Sequence, residues 1–137
     1  MKLAPYLLFN GTCEEAFRFY DTALGGRNLQ LMRHRGTPAS EHVPEGWQDK
    51  IMHAYLEVGQ SALMASDVPP EHQKPLGGFS VSYHAADEAE AERVFAALAG
   101  GGTVTMPLAP TFWAKRFGML VDRFGVPWMV NCAAPVA

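Results

Sequence analysis

Few residue types can carry chemistry near neutral pH, and His53 stands in the most suggestive setting. Of the five histidines, His34, His42, His53, His72 and His84, it lies inside the strand-like run "KIMHAYLEV". Alternation along that run sends His53 and Tyr55 to one face. A neutral imidazole there can serve as a general base or a ligand donor. It can equally be a hydrogen-bonded structural group, and the pattern leaves both open. No two histidines show the HExxH spacing that presents paired imidazoles on one helical face. Asp67 closes the run "SALMASD" and leads into "VPPEH". Its carboxylate can anchor a cationic ligand or take a proton, or it can bond its own backbone ahead of Pro69.

Other candidates read as structural. Asp122 precedes Arg123-Phe124-Gly125 in a hairpin turn, where turn chemistry explains it. Cys13 falls in the first turn of a helix, where the macrodipole can lower a thiol pKa. It also sits on that helix's apolar stripe, which favours a buried small residue. Ser61, Ser66, Ser80 and Ser82 occupy no nucleophile-elbow context. The glycines of "AGGGT" end a helix instead of opening one, so they form no phosphate cradle.

Apolar groups make the stronger signal. The stretch "TFWAKRFGMLVDRFGVPWMVN", residues 111–131, reads as an antiparallel strand pair. Phe117, Met119 and Val121 share one face of its first strand, and Met129 and Asn131 share one face of the second. One side is core. The other, with Trp113 from the preceding loop, reads as a pocket wall offering flat surfaces to an apolar or aromatic ligand. Residues 35–50, "RGTPASEHVPEGWQDK", have no periodicity and are long enough for a binding loop or lid. Trp47 in that loop is expected to cap the pocket or an interface.

The elements that position these residues come in two matching sets. Thr12 with Glu15 forms a capping-box signal, and Cys13, Ala16, Phe17, Tyr20, Ala23 and Leu24 follow at helical spacing until Gly25-Gly26. Asp87 with Glu90 repeats the signal before Ala91, Val94, Phe95 and Leu98, and Gly100-Gly101-Gly102 ends that helix. A slide of 74 residues superposes Glu14 on Glu88 and Leu24 on Leu98. A short apolar strand precedes each helix ("LAPYLLF", "GFSVSYH"). Three strand-like runs follow each: "NLQLMRH", "KIMHAYLEV" and "SALMAS", then "TVTM", "RFGMLVD" and "VPWMVN". The pattern is βαβββ twice over, module one spanning 1–70 and module two 75–135 of a single domain, 1–137. The expected class is α+β, with the sheets curling into a cupped mixed β surface and the helices outside. A ferredoxin-like βαββαβ chain is the competing arrangement.

Composition sets the bounds. The chain has 137 residues, 48% hydrophobic and 18% charged, enough to bury a core and too apolar for disorder. A net charge of −3 with scattered signs gives no reason to expect nucleic acid. No apolar run approaches the roughly 20 residues that cross a bilayer. "MKLAPYLLFNGTCEEA" runs into a helix start with no cleavage site, so we expect a cytoplasmic protein. Cys13 and Cys132 form no metal-type spacing, and reduced thiols are expected.

The duplication, together with "PYLLFNGTCEEAFRFYDTALGG", "MHAYLEVGQSALMASD" and above all "TFWAKRFGMLVDRFGVPWMVN", resembles the vicinal oxygen chelate superfamily. That superfamily includes glyoxalase I, bleomycin- and fosfomycin-resistance proteins and extradiol dioxygenases. Within it the chain looks most like the PhnB-like branch. The resemblance implies four positions that hold a divalent ion in metal-using members. Here they fall on Pro5, on Phe79 (or Ser80 if the register is off by one), around Ser66-Asp67, and near Met129. One carboxylate cannot hold a catalytic ion, and a thioether suits neither Mg²⁺ nor Mn²⁺. No metal and no cofactor is therefore expected. Pro5, Phe79 and Met129 instead join Trp113, Phe117 and Trp47 as candidate ligand contacts. The function implied is metal-independent binding of a small organic molecule, in a homodimer. The alternative is a glyoxalase- or dioxygenase-like lyase or isomerase using His53 and Asp67. A role in protein interaction through strand edges has no specific support. The PhnB association with phosphonate loci, and the methyltransferase label on related sequences, find no matching chemistry. The sequence has no Arg/Lys cluster, and no glycine-rich strand-to-helix turn for S-adenosylmethionine.

Overall fold

The computed structural model describes residues 3–72 and 74–133. The chain divides into two compact units between Pro75 and Leu76. The first holds β1 (Tyr6–Phe9), α1 (Cys13–Leu24), β2 (Arg27–Arg33), β3 (Ile51–Val58) and β4 (Ser61–Asp67). The second holds β5 (Val81–His84), α2 (Glu88–Ala99), β6 (Thr103–Ala109), β7 (Ala114–Val121) and β8 (Pro127–Ala133). Each unit is one mixed four-stranded sheet, ordered β1-β4-β3-β2 and β5-β8-β7-β6. In each, the first strand runs parallel to the last and the other pairs are antiparallel. This is the duplicated βαβββ plan, and the ferredoxin-like alternative falls away.

Each helix covers one face of its own sheet. In the first unit Leu7, Phe9, Ala54, Leu56, Leu63 and Ala65 are buried with Cys13, Ala16, Phe17 and Tyr20 of α1. In the second, Leu120, Trp128, Val130 and Cys132 are buried with Ala91, Val94 and Leu98 of α2. The side chains that alternate with these point to the opposite, helix-free face. Gly118 of β7 lets the second unit close. A Cβ there would lie 2.7 Å from Phe95 Cε2 and 2.9 Å from the Leu108 backbone, so helix and edge strand both approach through the missing side chain.

The repeat is slightly irregular. The helices are displaced by 75 positions, Cys13 to Glu88, where the sequence slide suggested 74. In the strands the offset of 74 holds for facing. Leu7 and Phe9 face α1, and Val81 and Tyr83 are the less exposed residues of β5. Burial and the Glu90 carboxylate of α2 both push the Tyr83 phenol up. The turn before α2 is therefore one residue longer.

Capping also differs between the helices. Asp87 caps α2 as expected: its carboxylate accepts from Glu90 N–H at 2.8 Å, and the Glu90 carboxylate accepts from Ala86 N–H at 2.6 Å. Thr12 makes no side-chain capping bond. The carboxylate of Asp67, at the end of β4, caps α1 instead. The expected cap by the Thr12 side chain is corrected accordingly.

Residues 35–50 contain two short 3-10 turns, Pro38–His42 and Glu45–Trp47. The loop is tied at its base by His34 and Lys50 and by an Arg35–Asp49 ion pair. Inside it, the Gln48 side-chain amide donates to the carbonyls of Ser40 and Val43.

Candidate functional site

The side chains free to meet a ligand lie on the helix-free faces, and Asp67 is not among them. It is 3% exposed and sits on the helix side of β4. One oxygen accepts from Gly11 N–H and Cys13 N–H, both at 2.9 Å, and the other from Ile51 N–H at 3.0 Å. Three backbone donors from two other elements consume this carboxylate, which makes it a brace between β4, β3 and the start of α1. It does not bond the turn ahead of Pro69. His53 faces the opposite side of the sheet, so the expected pairing of His53 and Asp67 as acid and base is corrected: the sheet separates them.

Asp122 is the matching brace of the second unit. Also 3% exposed, it accepts from Phe124 N–H, Val126 N–H and Trp128 Nε1–H at 2.8, 3.0 and 2.9 Å. Turn chemistry was the sequence expectation here, and the indole bond adds a link into the core. Cys13 is fully buried. Burial, then the charges of Asp67 and Glu14, push its thiol far up, opposing the dipole effect and leaving it a poor nucleophile.

On the helix-free face of the first sheet, the Tyr6 hydroxyl lies 3.2 Å from His53 Nδ1, with ring centroids 5.8 Å apart. Nearby, an open recess of about 390 Å³ is lined by Leu3, Ala4, Tyr55, Ala62 and Met64. Tyr6 had not been singled out in the sequence. Its contact with His53 depends on β1 joining β4 beside β3, which no local pattern reveals.

The helix-free face of the second sheet carries the aromatic and thioether groups. Phe117 pairs with Asn131, and Met119 with Met129, across β7 and β8. The Trp113 and Phe117 rings are 5.4 Å apart at 63°, and Phe112 stacks edge-on against Trp113 at 4.8 Å. The Thr111 hydroxyl accepts from Trp113 N–H and Ala114 N–H, fixing the backbone that aims Trp113. Phe112 is 95% exposed and Trp113 49%, so this aromatic series runs from a solvent-facing tip onto the sheet. Beyond it, β5 adds Ser82 and His84. Ser82 Oγ lies 3.2 Å from His84 Nε2, and Asn131 Nδ2 lies 3.4 Å from His84 Nδ1. Sequence reading placed Asn131 on this face without a role, set Ser82 aside as a nucleophile and gave His84 no role. Their meeting requires the parallel pairing of His84 with Asn131.

The remaining expected contacts lie on three separate segments. Pro5 precedes β1 and its carbonyl accepts from Met64 N–H. Phe79 precedes β5 and is 44% exposed. Trp47 is half-buried on the 3-10 turn of the 35–50 loop.

The groups at the four superfamily metal positions do not fit an ion. Pro5 and Phe79 have no side-chain donor, Ser66 and Ser80 offer only neutral hydroxyls, Met129 offers a soft thioether, and the Asp67 oxygens are committed to backbone amides. Among the described residues no three or more His, Cys, Asp or Glu side chains are grouped to hold an ion. Anionic ligands fare no better at the helix starts. Asp67 takes the Cys13 amide of α1 and Asp87 the Glu90 amide of α2, so a carboxylate of the protein already stands at each helix start, where a phosphate, phosphonate or nucleoside cofactor would sit.

The family model for 3-demethylubiquinone-9 3-methyltransferase matches residues 1–131. The chain belongs to that family. Protein YjdN of Escherichia coli strain K12 is 36% identical to it over 139 residues, covering 96% of this chain and 95% of that protein. Among solved structures, protein PA1353 from Pseudomonas aeruginosa is 52% identical with a TM-score of 0.87, covering 97% of this chain and 98% of the other. A PhnB protein from Bacillus cereus is 27% identical with a TM-score of 0.81, covering 97% and 100%. A glyoxylase/bleomycin resistance protein/dioxygenase domain from Frankia sp. EAN1pec, 13% identical, shares the fold with a TM-score of 0.65 over 97% and 95% of the chains. The chain thus shares its family description with the PhnB protein and its fold with the glyoxylase/bleomycin resistance protein/dioxygenase domain. Among the described residues no helix is long and apolar enough to cross a membrane.

Proposed function

We propose that this PhnB-like protein binds a small, largely apolar aromatic molecule on the helix-free face of its second sheet, without a metal ion. The observation that carries this reading is the series Phe112, Trp113 and Phe117 continuing into Met119 and Met129. Flat rings and polarizable thioethers on a rigid sheet suit an aromatic ligand held by dispersion and apolar burial. Phe79, which precedes the first strand of the same unit, is a further contact in this proposal. The proposal places the protein in the cytoplasm as a homodimer, for which light scattering should return twice the chain mass.

Methyl transfer, which the family description names, has no support at the site. Both strand-to-helix turns are filled by the protein's own carboxylates. Naphthalene serves as the test probe. Calorimetric titration should detect binding to the wild type, weakened about tenfold or more in Trp113→Ala, the loss expected for one aromatic wall. Equal affinity in the variant, at an unchanged melting temperature, would refute the reading.

A second reading rests on the Tyr6–His53 contact beside the 390 Å³ recess. It keeps His53 as an acid/base group for a lyase or isomerase, with Tyr6 in place of Asp67. His53→Ala would then abolish turnover of a substrate while leaving its affinity intact. If turnover persists in that variant, this reading fails.

A further inference from the structure

The polar end of the second sheet's open face restricts what the aromatic ligand can carry. This inference rests on the binding reading above. A neutral imidazole has one N–H and one acceptor nitrogen, yet both His84 nitrogens have a polar neighbour. Nε2 faces Ser82 Oγ, and Nδ1 faces the Asn131 Nδ2 amide. The amide nitrogen can only donate, so Nδ1 accepts and the proton sits on Nε2, donated to Ser82 Oγ. One arrangement therefore satisfies Ser82, His84 and the Asn131 amine together. It leaves one atom over: Asn131 Oδ1 is shielded from solvent and has no hydrogen-bond partner.

A buried carbonyl oxygen without a donor costs roughly 1–3 kcal/mol, and native structures seldom leave one unless something completes it. Asn131 pairs directly with Phe117 across the strands. The orphan acceptor thus lies on the same face as the aromatic series. The geometry points to Asn131 as a specificity-determining residue whose oxygen, covered by neighbouring atoms, accepts a hydrogen bond from a ligand that displaces that cover. The ligand class is an aromatic or heteroaromatic molecule bearing an O–H or N–H donor, such as a phenol or an N–H heterocycle. A ring whose only polar atom is an acceptor leaves the oxygen unpaired and is disfavoured, because sites built for a hydrogen bond reject analogues that lack it.

Three probes of similar size separate the possibilities: naphthalene, 2-naphthol and 2-methoxynaphthalene, titrated calorimetrically into the wild-type protein. The expected result is that 2-naphthol binds about tenfold or more tightly than 2-methoxynaphthalene. Asn131→Ala should bring those two affinities within about twofold of each other, whereas Asn131→Asp, which keeps an acceptor, should retain the preference. Equal affinities in the wild type would overturn the inference. So would a preference for the methoxy compound, which would place the amide N–H rather than the oxygen toward the ligand. A preference that survives in Asn131→Ala would overturn it as well. Failure of all three probes, naphthalene included, would instead bring down the binding reading on which the inference stands.

Discussion

Two buried aspartates hold the same kind of post in the two units, each taking three donors and neither facing a helix-free surface. For Asp67 the donors are the Gly11, Cys13 and Ile51 amides. Removing it strands all three in the interior. Asp67→Ala should therefore cost about 3 kcal/mol in urea unfolding, Asp67→Asn distinctly less. Naphthalene affinity of the folded Asp67→Asn protein should stay within about twofold of the wild type, because the side chain faces away from the open surface. A large loss of affinity at full stability would return Asp67 to the site. Cys13 offers a second check. With its thiol pushed up by burial and by the Asp67 and Glu14 charges, and Cys132 also buried, iodoacetamide at pH 8 should label neither cysteine in the native protein. Both should react in urea. Rapid native labelling of Cys13 would show that the start of α1 opens.

The elements were the most legible part of the chain. Apolar spacing and terminal glycines mark both helices, and alternation marks the strands, because each element buries one face against its neighbour. The 3.6- and 2-residue periods therefore survive in the sequence. The capping of α1 was not legible, since the acceptor is the Asp67 carboxylate, more than fifty positions away. Nor were the Tyr6–His53 and His84–Asn131 meetings, both made by strand order and not by local pattern. Aromatic content pointed to the second sheet, but only register separated its core residues from its exposed ones. Trp128 is 1% exposed and bonded to Asp122, while Trp113 lies half open. Gly118 tests the packing of the second unit. Gly118→Ala should lower stability by about 2 kcal/mol, since the added methyl must displace Phe95 or the β6 backbone. A neutral substitution would mean that α2 and β6 are held less closely than the distances show.

At the scale of the whole chain, fold and family coincide while the groups that would grip an ion do not. The duplicated sheets have the fold of a glyoxylase/bleomycin resistance protein/dioxygenase domain, and the positions that the resemblance implies as metal donors here carry a proline, a phenylalanine, a thioether and a carboxylate already spent on backbone amides. What the second sheet exposes in their place is an aromatic and thioether surface with one buried acceptor at its edge. The most direct measurement is NMR of protein labelled with methyl-¹³C methionine, titrated with 2-naphthol in excess EDTA. The methyl signals of Met119 and Met129 should shift with saturation, and Trp113→Ala should weaken the response. Binding that leaves both methyls unmoved, or that appears only when a divalent ion is restored, would contradict the account.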